Sequence, residues 1–453
     1  MDRMQIDLLL EILRRLSPRS LAVSRCACKA WRAAIDHHRL LRADLLPLSV
    51  DAAVYDELNI YPPRLFGRRP AARHIPGELE YLADSRLDVP GVQDHCNGLF
   101  LVRSKSRQRR AKVVNPATRQ WAPLPLLPCA CSWPAMCGRC HNNRYLVYDP
   151  TVSPHYQVFY IPRVPPPDDM TEWPPTPYVM HVFSSTTNRW KETSFVREGE
   201  AAAVAGTVDV DDVNSCPRDR DEHMYYAAYW QGSLYVPSPH VKDDFLFRIN
   251  LSSDKYQVIK LPKGRVGSHF RLGKSKKGVY CVVNTNVRCT FRVWFLHESS
   301  GLADWVFKNE INLQPAFSKQ DWHPGPWIPQ LPEQIQLLLK SDVNPKLVDE
   351  YNEALAGDGF DWDSDDEDLV SITDWPKKCD TSIDGPDCIG FHPYKEIVLF
   401  NERGVCSCST VAYHLSSSRV RYLGEMRPRC HYSMEEISFA YTPCWMMDLP
   451  GSN

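Results

Sequence analysis

Residues 6–35 read IDLLLEILRRLSPRSLAVSRCACKAWRAAI, and this stretch decides how the chain begins. Leu9, Ile12, Leu13 and Leu16 follow the i, i+3, i+4, i+7 spacing that puts them on one side of a helix. Ser17-Pro18 stops that helix and starts another, with Ser17 suited to the N-cap and Pro18 to the first helical position. Leu21 and Val23 continue the apolar pattern, and Cys28, Trp31 and Ile35 carry it into a third helix. Three short helices over residues 1–46 hold too little chain to bury their own apolar faces. The surplus leucines need a partner, so the segment is a docking module and not a site of chemistry.

The same run resembles the F-box motif, whose usual form is LPxDLLxEILxRLPxxSLxRxRxVCKxWRxLI. Asp7, Leu8, Leu9, Glu11, Ile12, Leu13, Arg15, Leu16, Ser20, Leu21, Arg25, Cys28, Lys29, Trp31, Arg32 and Ile35 stand where the motif puts them. Gln5 and Ser17 replace motif prolines, and Ala27 replaces a valine. The resemblance implies docking onto the Skp adaptor, and through it a cullin, of a Skp–cullin–F-box ubiquitin ligase. It assigns Leu8, Leu9, Ile12, Leu13, Leu16, Leu21, Cys28 and Trp31 to adaptor binding. Each aliphatic side chain fully buried in an apolar groove contributes roughly 1.5–3 kcal/mol, so four or five anchors suffice for stable association.

Residues 47–90, with Pro62, Pro63, Pro70, Pro76 and Pro90, read as a linker with one strand near Leu79–Leu82. From Asp94 onward short β-runs alternate with turns, and a unit recurs. Its outer hairpin is a strand, a polar turn and a strand led by an aromatic: Trp121, Trp190, Tyr256, Trp305 and Tyr422. Ahead of these lie inner hairpins with Gly232, Gly278 or Pro393 in their turns. Four strands per unit suits the blades of a five- or six-bladed β-propeller, which bury their faces against one another. The run Ile437–Tyr441 is placed to close the ring with a strand from before residue 98, and a pair of β-sandwiches is the rival architecture. The phrases HCNGLFLV, VVNPATRQW and YLVYDPTVSPHYQVFYIPRVP resemble the F-box-associated β domains of grass and other plant F-box proteins. That resemblance implies a kelch-like substrate-recognition domain over 91–448, with 449–453 a tail. The fold class is α+β multidomain: a three-helix module followed by an all-β domain.

Residues 312–385 read as an insertion. It offers an amphipathic stretch through Leu331, Ile335, Leu338 and Leu339, a helix start at Asn344-Pro345, and acidic chain from Asp358 to Asp368 whose like charges favour a solvated loop. An EF-hand fails there for want of alternating oxygen ligands and a closing glutamate. The basic run Arg103–Lys112 lies between two apolar strands and reads as a hairpin loop, with an import or anion-binding patch as the alternative.

Cys129, Cys131, Cys137 and Cys140, followed by His141, form the densest thiol cluster. Cys137 and Cys140 have zinc-ligand spacing, but the companion pair is only CxC, so a thiol-rich loop is favoured over zinc. No GxxxxGK, GxSxG or HExxH pattern offers a catalytic core, and no cofactor is implied. A formal charge of −2 argues against a general nucleic-acid binder. No window reaches the roughly 20 apolar residues of a membrane span. The 16 cysteines then suit a reducing cytoplasm or nucleus. The expectation is a non-catalytic substrate receptor of a ubiquitin ligase, holding an unidentified target protein with its β domain. The alternatives are a propeller scaffold outside any ligase, and a propeller that binds a metal or small ligand.

Overall fold

The protein, seen in a computed structural model, is described at residues 3–16, 21, 24–25, 27–38, 40, 50, 52–57, 63–68, 90–104, 111–127, 144–162, 172–204, 226–238, 245–262, 270–285, 289–299, 302–317, 327–329, 370–371, 386–402, 409–425, 436–444, 449 and 451–452. Two helices, Arg3–Arg14 and Lys29–His37, form the N-terminal module. Between them Leu21, Ser24, Arg25 and Ala27 are helical, while the Ser17-Pro18 junction lies outside the described residues. Three complete helices are therefore not on view.

The rest of the described chain is mostly β-structure, arranged chiefly as four-stranded antiparallel units, with a short helix at Gln314–Phe317 and a two-stranded ladder of Glu172–Trp173 with Ala203–Val204. The first comprises Pro90–Cys96, Leu99–Ser104, Ala111–Asn115 and Gln120–Pro123. The second comprises Arg144–Val147, Gln157–Tyr160, Tyr178–Ser184 and Arg189–Glu198. The third comprises Ala228–Trp230, Ser233–Pro237, Phe245–Asn250 and Lys255–Lys260. Parallel pairing of Val196–Glu198 with Lys255–Gln257 merges the second and third into one eight-stranded sheet. Phe270–Ser275, Gly278–Asn284, Thr290–Ser299 and Leu302–Asn312 make the fourth unit. Asp387–Phe391, Ile397–Asn401, Ser409–His414 and Arg419–Glu425 make the fifth.

The sixth unit corrects the domain boundaries read from sequence. Glu436–Tyr441 pairs with Ala52–Glu57, which pairs with Arg64–Arg68, which pairs with Trp327–Pro329. Half of this sheet comes from the supposed linker and a quarter from the supposed insertion, while the strand expected near Leu79–Leu82 lies outside the described residues. Sequence reading missed these strands because they are short and proline-flanked. Their burial comes from partners hundreds of residues away, which no local pattern records. Phe66 and Trp327 are both buried, with rings 5.6 Å apart, in the core this sheet shares with Ile389, Ile397 and Leu399 of the fifth unit. Val370–Ser371, also within the supposed insertion, adds an edge strand to the fifth unit. The supposed tail packs too: Gly451–Ser452 pairs with Gln120–Trp121, and the buried Leu449 donates its N–H to Gln120 Oε1 at 3.0 Å.

The outer hairpins share one turn. In four units the turn ends on a residue in the left-handed region: Arg119 (φ 56°), Asn188 (φ 53°), Asp254 (φ 50°) and Ser418 (φ 55°). Asn115 and Asn250 open two of these turns, their Oδ1 atoms accepting the N–H groups of Ala117 (3.1 Å) and Ser252 (3.0 Å). The left-handed residue sets the twist that returns the chain antiparallel. In the first three units the recurring aromatic follows it by two residues, as Trp121, Trp190 and Tyr256.

Those aromatics tie one unit to the next. Trp190 Nε1 donates to the carbonyl of Pro125 in the preceding unit at 2.9 Å, and Trp305 Nε1 donates to that of Lys260 at 2.9 Å. The Tyr256 hydroxyl donates to the Pro175 carbonyl at 2.6 Å. Trp190→Phe keeps a ring against Phe183 but leaves the Pro125 carbonyl without this donor. We expect it to lower unfolding stability by about 1 kcal/mol, and Trp190→Ala by about 3 kcal/mol, read from urea denaturation midpoints.

Candidate functional site

Two features stand out: one face of the N-terminal module and a central cavity in the β region. In the module, Leu13, Leu21 and Ile35 form a buried core against which Leu9, Leu16, Trp31, Ala34 and Leu40 pack. Leu10 is buried as well. Leu8 and Ile12, one helical turn apart, stand 65 % and 52 % exposed. Helical spacing puts Ile12 on the same face as Leu9, Leu13 and Leu16; the structure separates them. The i, i+4, i+7 set Leu9, Leu13 and Leu16 covers the module's own helices, and the neighbouring stripe of Leu8 and Ile12 turns outward. Of the residues assigned to adaptor binding, Leu13 and Leu21 are thus spent internally, Leu9, Leu16 and Trp31 are half-buried, and Leu8, Ile12 and Cys28 are open.

Cys28 has a local task that sequence reading did not foresee. It precedes the helix Lys29–His37, and its Sγ lies 3.5 Å from the Trp31 N–H. The thiol thus stands as a weak N-cap where serine or aspartate is usual. Glu11 pairs with Arg15 at 3.2 Å and with Arg14 at 4.0 Å beside the exposed stripe. Such exposed pairs contribute only tenths of a kcal/mol; they place charge around an apolar patch.

The cavity, of about 80 Å³, is lined by residues of five units: His95 to Gly98, Tyr226 to Tyr229, Arg271 to Lys274, Ile389 to Phe391 with Pro393 and Tyr394, and Phe439 to Thr442. It holds several waters or one small ligand. The Asn97-Gly98 turn forms its floor, both residues lying at positive φ (45° and 87°). A Cβ on Gly98 would meet the Cys444 N and the Thr442 O at 2.6 Å, so only glycine fits. Asn97 Nδ2 donates to the Tyr148 carbonyl at 2.6 Å, and Asn97 Oδ1 accepts from Lys274 Nζ at 2.8 Å. His95 stacks on Phe439 with ring centroids 3.9 Å apart and meets the edge of Tyr226 at 4.8 Å.

Burial governs ionisation around this centre. It lowers His95 to about 3 and raises Cys96 to about 11, so both are neutral near pH 7. It lowers Lys274 as well. Asp94, next in the chain to His95, accepts the Leu146 N–H at 2.7 Å, yet burial outweighs that bond and raises its carboxyl to about 8. A carboxyl whose folded value exceeds its unfolded value favours the folded state while protonated. This stability is fully present below about 4 and is lost as pH rises through about 8. We therefore expect the protein to lose on the order of a few kcal/mol on alkalinisation through that window. Asp94→Asn, which still accepts the Leu146 N–H, should flatten the loss between pH 7 and 9, where His95 does not titrate. Chemical denaturation of both proteins across that range measures the difference.

In the sequence His95 to Gly98 stand out only through the family likeness of HCNGLFLV, and nothing marks Lys274. That lysine sits in a run, KSKK, that reads as a solvated turn; only tertiary packing turns it inward. The thiol cluster Cys129, Cys131, Cys137 and Cys140, the amphipathic stretch 331–339 and the acidic run 358–368 lie outside the described residues. Arg103 lies in the strand Leu99–Ser104 and Lys112 in the next, the two strands paired antiparallel; residues 105–110 lie outside the described residues. Among the described residues no group of three metal-ligating side chains assembles, and no helix is long and apolar enough to cross a membrane.

Comparison with known proteins bears on the N-terminal module. Residues 1–43 match the family model of the F-box domain. A protein of Arabidopsis thaliana named as an F-box protein is 26 % identical over 266 residues, spanning 56 % of this chain and 60 % of that one. The chain thus matches less than two thirds of that relative's length. Among solved structures, a hypothetical selenium-binding protein from Sulfolobus tokodaii aligns over 83 % of this chain and 75 % of its own, at 9 % identity and a TM-score of 0.31. At that TM-score the likeness carries no argument about fold. The module whose exposed leucine–isoleucine stripe was described above is an F-box domain, at the N-terminus of a mostly β chain.

Proposed function

We propose that this protein is the substrate-recognition subunit of a plant Skp–cullin–F-box ubiquitin ligase, with Leu8 and Ile12 leading the contact to the Skp adaptor. The observation that carries the proposal is the F-box match at residues 1–43, on a helix that keeps two large aliphatic side chains in water. Surface aliphatics paired at i, i+4 and ringed by charge suit burial in a partner's apolar groove. Leu9, Leu16, Trp31 and Cys28 border the contact, and Leu13 and Leu21 support it from within.

The β region would be a six-bladed propeller presenting loops to a target protein. Five successive four-stranded meanders, a sixth sheet closed by Glu436–Tyr441 on Ala52–Glu57, and a cavity lined from five of the six units favour this architecture over paired sandwiches. The chain itself would supply no catalytic group: tethering raises the target's effective concentration beside the ubiquitin-loaded enzyme. Reducing conditions in cytoplasm or nucleus suit such a role.

The test is assembly of ligase activity. Affinity-tagged full-length chain, expressed in plant cells and recovered, should carry adaptor and cullin and support ubiquitin-chain formation with added activating and conjugating enzymes. A fragment beginning at residue 48 should recover neither. Equal activity from both would defeat the proposal.

A further inference from the structure

The central cavity has a charge imbalance. Its lining contains two cations, Lys274 and Arg271, and no carboxylate. Arg271 is answered by Asp387 at 3.7 Å. Lys274 has no such answer among the described residues. Its ammonium donates to Asn97 Oδ1 at 2.8 Å and lies 6.0 Å from the Tyr229 ring centroid, both neutral partners. Asp149 and Cys96 act on it only from beyond ion-pair distance, and burial keeps Cys96 and the neighbouring His95 uncharged. The same cavity is lined by the aromatic side chains of Tyr226, Phe391, Tyr394 and Phe439.

An ammonium facing a weakly polar cavity with no carboxylate in contact is unfavourable, because Asp149 acts on it only at a distance, and a bound anion relieves it. One ammonium without an ion-pair partner calls for one negative charge. The aromatic walls favour an apolar body behind the charge over a bare, strongly hydrated inorganic anion. We propose that the cavity binds a small organic acid as its carboxylate, with Lys274 pairing to the carboxylate and the aromatic walls holding the body. This site is separate from the F-box face and does not depend on the ligase reading.

The test uses calorimetric titration of the full chain with acetate and benzoate, each against its neutral twin, acetamide or benzamide, and with phosphate. At least one carboxylate should bind saturably at one site per chain, about tenfold or more tighter than its amide. Lys274→Met, checked for folding by circular dichroism, should weaken that carboxylate by a similar factor, and Lys274→Arg should restore part of it. Lys277→Met, which alters an exposed lysine paired to Glu396, should leave binding unchanged. If Lys274→Met does not fold, the contrast between carboxylate and amide on the wild-type chain decides. The inference is overturned if neither carboxylate saturates, if the amides bind equally, or if phosphate binds more tightly than both carboxylates.

Discussion

Leu8→Asp combined with Ile12→Asp should abolish binding to the Skp adaptor while leaving the protein folded. Both side chains stand in water in the free protein, 65 % and 52 % exposed, so replacing them removes little from the module's own core. In a complex each would lose its burial, roughly 1.5–3 kcal/mol apiece, and place a charge in an apolar groove besides. The combined loss is then at least about 3 kcal/mol, which weakens affinity by more than about a hundredfold. Leu13→Asp is a different experiment. Leu13 is fully buried among Leu21 and Ile35, and a carboxylate there disrupts the module itself. The contrast is read by pairing a pull-down with helix content: the double variant should lose adaptor at wild-type helicity, and Leu13→Asp should lose both.

The second large effect concerns where the β domain starts. A fragment beginning at residue 91, the boundary the sequence suggests, should not fold cooperatively; one beginning at residue 48 should. The longer fragment keeps Ala52–Glu57 and Arg64–Arg68, the middle two strands of the sixth sheet. Without them Glu436–Tyr441 and Trp327–Pro329 lose their paired neighbours. Val50, Val54, Tyr55, Leu65 and Phe66, all buried, are lost with them. At about 2 kcal/mol for each large apolar side chain, this removes about 10 kcal/mol, comparable to the whole stability of a typical domain. Edge strands left unpaired also invite aggregation. Urea unfolding followed by tryptophan fluorescence distinguishes the two fragments: a single cooperative transition is expected for the one starting at residue 48, and none for the other.

What could be read without coordinates follows from how local each signal is. The outer hairpins around Trp121, Trp190, Tyr256, Trp305 and Tyr422 were legible because each is a strand, a turn and a strand within about fifteen residues, with aromatics spaced by the repeat. The closing pair was legible from one side only. Ile437–Tyr441 looked like a strand in search of a partner, and the partner, Ala52–Glu57, lay in chain that prolines made look like linker. In the F-box, helical spacing found the apolar residues but could not divide them. Leu8 and Leu9 are adjacent leucines, and only packing against Leu21 and Ile35 decides which turns outward. Lys274 was illegible for the opposite reason, since a lysine in a basic run gives no sign of burial until the strands around it meet.

Titration of purified Skp adaptor into the full wild-type chain tests the central claim most directly. One-to-one binding with a dissociation constant of about 1 µM or tighter is predicted, led by the exposed Leu8 and Ile12 with the half-buried Leu9, Leu16 and Trp31 at their border. Absence of both binding heat and co-elution at concentrations about a hundredfold higher would contradict it.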